Sequence, residues 1–272
     1  MEILIKVLNV LNTQVKEPKV FGVYHIICLL IVAGLTVFLC VRYGDLSREK
    51  IRKVVFWTAM SVVILEVYKQ IVYSFTVEDG RIVFDYAWYA FPWQFCSTPM
   101  YVGVLVGLTK KGKVHDALAA YLASYSIFAG VCVMAYPGDV FTETAGIDFQ
   151  TMVCHGSMIV IGVWLLVSGY VKPCVRSLKM AMAVFATTIG MAMVMNEIAH
   201  ATGLLETDTF NMFLISPYCP PSLPVYSQIQ EFLPYPLSVL VYIGAFTLAA
   251  GLVMAAAGYK RKARIHCVPA TT

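Results

Sequence analysis

The chain has 272 residues, 59% hydrophobic and 13% charged, with a formal net charge of +4 and a mean hydropathy of +0.74. Soluble domains average about 45–50% apolar and about 25% charged residues, so this composition excludes a water-soluble globular domain and a basic nucleic-acid-binding tail. Eight cysteines in so apolar a chain do not make a disulfide-stapled scaffold, which needs a short, polar, loop-rich sequence. The class that remains is an integral membrane protein, all-α, with residues 1–272 in one membrane domain.

In chain order, Ile3, Leu4, Val7, Leu8 and Leu11 share one helical face, with Glu2, Lys6, Asn9 and Thr13 opposite. That pattern predicts an interfacial helix within residues 1–19. A spanning helix needs about 20 mostly apolar residues, and about seven stretches between 20 and 257 qualify. They are Val20–Val41, Val54–Phe75, Phe91–Leu108, Ala117–Tyr136, Phe149–Val171, Met180–His200 and Tyr235–Ala257. Residues 201–234 hold Pro217, Pro220, Pro221, Pro224 and Pro234 with no lysine or arginine, which predicts a fixed lid over the bundle. Residues 258–272 form a basic tail.

Most of the 20 lysines and arginines fall in alternate connections: Arg42 to Lys53, Lys110 to Lys113, Lys172 to Lys179, and Lys260 to Arg264. With seven spans all four connections lie on one side, and the positive-inside rule places the N-terminus outside and the C-terminus inside.

An ionisable side chain inside a span costs about 2.5–3.5 kcal/mol on insertion scales and marks a functional candidate. His25, Glu66, Lys69, Gln94, Cys96, Thr98, His155, Asn196, Glu197 and His200 all fall in the outer halves of their helices, which predicts one outward-facing cavity. Glu66 and Lys69 are spaced to pair, and Tyr73 continues their face; Glu197 and His200 repeat the spacing. Cys96 lies between Pro92 and Pro99, where the helix is expected to kink or open, and irregular backbone at membrane depth faces protein or a wet cavity. His155 has a matching depth, so the two supply the parts of Cys–His nucleophilic catalysis. An alternative is a zinc hydrolase or amidase using His25, His155, His200 and a carboxylate. A third is a transporter lined by Glu66, Lys69 and Glu197, against which the apolar inner halves argue. Gly103 and Gly107 make a helix-packing pair.

The segments FPWQFCSTPMYVGVLVGL (91–108), VCHGSMIVIGVWLL (153–166), NEIAH (196–200) and NMFLISPYCPPSLPVYSQI (211–229) resemble the bacterial YwaF-like integral membrane proteins, related to transmembrane protein 164. The resemblance implies a lipid acyltransferase, expected in a bacterial plasma membrane, and the charge rule and residue depths turn its site toward the outer leaflet. A cysteine would take an acyl chain from a phospholipid and pass it to a lysophospholipid with help from a histidine. The matching positions are Cys96 and His155; Glu66, Lys69, Gln94, Thr98, Asn196, Glu197, His200, Asn211 and Tyr218 would support the site or bind substrate. No cofactor is implied, and no nucleic acid partner.

Overall fold

The computed structural model describes residues 1–203, 209–219, 223 and 225–266, with side chains of the last helix as far as residue 259. Pro220, Pro221 and Pro224 of the lid, and the basic side chains from Lys260 onward, lie outside the described residues.

The chain is a helical bundle. Its long apolar helices are α2 (Val23–Arg42), α3 (Arg48–Val72), α7 (Ala145–Val167), α8 (Val175–Thr202) and α10 (Tyr235–His266). A further span is built from two pieces, α5 (Lys113–Leu122) and α6 (Tyr125–Ala135). These six have the length and hydropathy to cross a membrane, and the shorter apolar α4 (Thr98–Leu108) stands among them. A short α9 (Tyr226–Phe232) precedes α10, and an N-terminal α1 (Glu2–Leu11) is largely exposed, with Leu8 buried and Ile5 and Leu11 half-buried.

One predicted span is corrected, and another stands with an internal break. The third, expected over Phe91–Leu108, is helical only from Thr98. Pro99 sits in the first turn of α4, where its missing N–H costs no internal bond. Before it, the Gln94 carbonyl accepts from both Ser97 N–H and Thr98 N–H in a tight turn. The proline therefore starts a helix rather than kinking one. The fourth span breaks at Ala123–Ser124, where Ser124 leaves helical geometry (φ −140°, ψ −78°). Its hydroxyl donates back to the Ala120 carbonyl at 2.7 Å, an internal bond that competes with the backbone ladder.

A two-stranded hairpin, β1 (Phe75–Glu78) and β2 (Arg81–Phe84), follows α3. Asp79 and Gly80 both have positive φ (47° and 71°), the geometry of a two-residue turn that matches strand twist.

α7 lies at the centre, packed on α2, α3, α5 and α6, while α3 packs on α4 and α5 on α8. A Cβ on Gly103 would lie 2.8 Å from the Ala59 Cβ, so α3 and α4 meet at the closest spacing their backbones allow. The largest buried side chains include Trp164, Tyr121, Tyr125 and Phe185. Tyr121 stacks on Tyr125, which stacks on Phe185. Their polar atoms find partners, as a dry interior demands. Trp164 Nε1 donates to the Tyr43 carbonyl at 3.0 Å, and Tyr121 Oη lies 2.6 Å from Thr98 Oγ1.

Several basic connections meet at one end of the bundle. Arg48 donates to the Tyr170 carbonyl at 3.1 Å and lies 4.1 Å from the Tyr170 ring centroid. His115 bridges Tyr170 Oη (2.7 Å) and Thr109 Oγ1 (3.1 Å), and Arg52 donates to the Gly107 and Thr109 carbonyls. The start of α3, the end of α4, the start of α5 and the end of α7 therefore share this end. α4 carries the chain from there by about 16 Å to Thr98, so Cys96 lies in the half away from the basic residues.

Candidate functional site

Glu66 is the hub of a polar network between α3, α7 and the segment before α4. It is 5% exposed, and it pairs with Lys69 one turn along α3 at 2.8 Å. Gln70 Nε2 donates to Glu66 Oε1 at 2.8 Å, and Gln150 Nε2 on α7 donates to Oε2 at 3.1 Å. Gln70 also donates to the Ala90 carbonyl and accepts from Tyr86 Oη, tying the loop after β2 to α3. Burial pushes the Tyr86 phenol up to about 12, so it remains a donor at any physiological pH. One carboxylate thus holds an ammonium and two amides in a region that water scarcely reaches.

Cys96 stands in the turn just before α4, half-buried, and lines a cavity with Cys154 of α7. The Cys154 thiol points at the Cys96 carbonyl at 3.8 Å. Next to Cys96, Thr98 donates to the Phe95 carbonyl at 2.9 Å as well as meeting Tyr121.

His155, 5% exposed, lies one residue beyond Cys154. Its Nδ1 is 2.8 Å from the Thr151 carbonyl one turn back. A carbonyl only accepts, so Nδ1 carries the hydrogen and the neutral ring leaves Nε2 as the acceptor. Among the described residues Nε2 is buried with no hydrogen-bond partner, a state that costs about 1–3 kcal/mol. This buried, unpartnered ring nitrogen is the chemically distinctive feature of the region. No hydrogen bond joins it to Cys96. The Lys69 ammonium lies within electrostatic range of Cys96, Cys154 and His155 alike.

The remaining sequence-selected residues form a second group, which docks the lid. Gln94 donates to the Asn211 carbonyl (2.9 Å) and accepts from Phe213 N–H (3.0 Å). Asn196 donates to the Met212 carbonyl (3.1 Å) and accepts from Met212 N–H (2.8 Å). Asn211 Oδ1 caps Ser216 N–H, Glu197 accepts from Tyr218 Oη at 2.8 Å, and the His200 ring stacks on Tyr218 at 3.5 Å. Phe213, with φ 60°, packs its ring on Phe95 beside Cys96.

His25 stands apart from both groups. Its Nδ1 accepts from Phe21 N–H and its Nε2 donates to the Met134 carbonyl, each at 2.9 Å, pinning α2 to α6. The set His25, His155 and His200 is not assembled; among the described residues no three His, Cys, Asp or Glu side chains are placed to hold a metal ion. Cys154 and Cys219 turn to different carbonyls, those of Cys96 and Phe210.

Sequence reading missed Gln70, Gln150 and Gly130. Gln70 follows Glu66 at helical spacing, a signal that was available; Gln150 reaches Glu66 from another helix and left none. Gly130 lies where a Cβ would sit 2.7 Å from the His155 carbonyl oxygen. α6 therefore supports the turn of α7 that carries the histidine. Gly130→Val is expected to destabilise the protein by about 1–3 kcal/mol through overpacking against rigid backbone. Thermal unfolding in detergent checks this, and an unchanged transition would contradict the close approach.

No curated protein and no solved structure matches the chain. The model of the TMEM164 family matches residues 20–254, a stretch that holds the spans, the Glu66 hub, Cys96, His155 and the lid contacts. The chain therefore belongs to the TMEM164 family of integral membrane proteins.

Proposed function

We propose that the protein is a membrane-embedded acyltransferase that moves a fatty acyl group from a phospholipid to a lysophospholipid through a thioester on Cys96. The observation that carries this reading is the buried, unpartnered Nε2 of His155, in the same electrostatic neighbourhood as the Cys96 thiol.

In the first half-reaction His155 Nε2 takes the thiol proton and Sγ attacks the ester carbonyl carbon. The tetrahedral oxyanion is stabilised by the Lys69 ammonium. Collapse breaks the ester C–O bond, and the imidazolium returns the proton to the departing lysophospholipid oxygen. In the second half-reaction a lysophospholipid hydroxyl gives its proton to Nε2 and attacks the thioester, and the proton passes on to the leaving thiolate. The Thr151 carbonyl keeps the ring in one tautomer and orientation throughout. Glu66 holds Lys69 in place, and no cofactor takes part.

The charge distribution of the connections supports a site toward the outer leaflet, and the resemblance to bacterial proteins supports a bacterial plasma membrane. Phe213 of the lid packs on Phe95 beside Cys96, and in this reading substrate enters sideways from the lipid.

Intact-protein mass spectrometry of wild type and Cys96→Ala, purified with lipids retained and reducing agent present, tests the proposal. The expected result is a hydroxylamine-sensitive acyl adduct on wild type alone. An equal adduct on Cys96→Ala, or full phospholipid remodelling by that variant, would overturn it.

A further inference from the structure

The cavity at Cys96 is elongated, and its direction can be read from three helices at once. Its wall passes from Cys96 into α4 as far as Gly103, on α7 from Cys154 to Ile161, and on α3 from Val62 to Val55. Each sequence runs toward the basic end, so the cavity descends from the thiol into the bundle for about two helical turns, or about 10 Å. It measures about 390 Å³ together with the open space at its mouth. It is a narrow slot, pinched where Gly103 meets Ala59. Among the described residues no charged side chain lines it; Thr58, Ser126 and Ser157 belong to its wall, and the Ser157 hydroxyl is turned back to the Cys154 carbonyl at 2.7 Å.

We infer that this slot holds the acyl chain carried by Cys96, and that its floor at Val55 and Ile161 limits the chain length accepted. The inference rests on the acyl-transfer reading and adds the substrate feature that the site measures. A narrow, largely apolar slot with a thiol at one end fits a single unbranched chain whose carbonyl carbon lies at Sγ. A ring or a charged head group has neither the width nor the partners it needs there. The head group stays outside, near the mouth of the slot.

The test uses alkyl methanethiosulfonates of graded chain length on the full-length protein in detergent, and so does not depend on turnover. The Cys96 thiolate attacks the sulfenyl sulfur and forms a mixed disulfide. Methanesulfinate leaves, and the thiol proton goes to buffer. Exposed Cys132 serves as an internal reference for partition of the reagent into the micelle. Peptide mass spectrometry gives the Cys96-to-Cys132 labelling ratio. In wild type the ratio is expected to rise with chain length to a cutoff and then fall about tenfold, the effect of forcing extra methylenes into a packed wall. Ser157→Leu, which fills the upper slot, moves the cutoff to shorter chains; Val55→Ala, which lowers the floor, moves it to longer ones. A ratio independent of chain length, or a cutoff unmoved in both variants, would overturn the inference. The two readings separate cleanly. A moving cutoff without any lipid-derived adduct upholds the slot and refutes the transfer. A lipid-derived adduct with a flat ratio refutes the slot alone.

Discussion

Cys96→Ser is expected to leave the bundle folded and to abolish acyl transfer. Serine is close in size to cysteine, and Cys96 is only half-buried in a turn whose bonds run through the backbone of Gln94 and the side chain of Thr98. Circular dichroism and thermal unfolding should therefore match wild type. The chemistry does not survive, because a hydroxyl is far less readily deprotonated than a thiol by a neutral imidazole. Loss of a nucleophile of this kind lowers turnover by on the order of 10⁴-fold or more. His155→Ala should lower it by about 10²–10⁴-fold, the usual contribution of a positioned base. His155→Gln separates two roles. Its amide can still donate to the Thr151 carbonyl, as Nδ1 does, but it offers no basic nitrogen. Activity as low as in His155→Ala assigns the loss to the base; recovery would make the histidine a packing element. Turnover is read as the mass-labelled acyl group appearing on lysophospholipid in proteoliposomes.

Glu66→Leu is expected to have the largest effect on stability. The substitution leaves the Lys69 ammonium, only 16% exposed along its side chain, without a counter-charge. It also removes the acceptor used by Gln70 and Gln150. Breaking a buried pair from one side costs about 3–5 kcal/mol, a sizeable share of the about 5–15 kcal/mol that folded domains possess. The double variant Glu66→Leu/Lys69→Met should recover most of that loss, because what destabilises the single variant is the uncompensated charge. Glu66→Gln, which keeps an acceptor but no charge, should fall between. Reversible unfolding in mixed micelles supplies the measurement. A double variant no more stable than Glu66→Leu would show that the pair is not the source of the effect.

The two sets of polar residues show what the sequence can and cannot disclose. Depth was legible, because rise per residue and the ends of apolar runs are properties of one helix at a time. The expectation that Glu66, Cys96, His155 and Asn196 share one half of their helices, away from the basic connections, follows from that alone. Rotation about the helix axis was not legible. It depends on which neighbour each face meets, and it divided one expected cavity into the Glu66–His155 region and the lid dock. The Glu66–Lys69 pair was visible because both partners share α3, whereas Gln150 came from across the bundle. The third span failed for a local reason. Phe91 to Phe95 is as apolar as a helix, and only the two prolines around it distinguish an irregular entry from a continuous one. The hairpin after α3 carried its own signal, Asp79-Gly80 between β-branched and aromatic residues, within a stretch whose hydropathy had drawn attention to the spans on either side.

The manner in which the lid is docked bears on how this protein can be rebuilt. Gln94 and Asn196 bind main-chain groups of Asn211, Met212 and Phe213 rather than side chains. A contact of that kind recognises the path of the loop and is largely blind to its composition. A loop transplanted from a relative should seat on this bundle wherever it follows the same path, provided the two amides are present to receive it. The portable unit in such a chimera is the receiving pair, and the loop itself becomes the variable part.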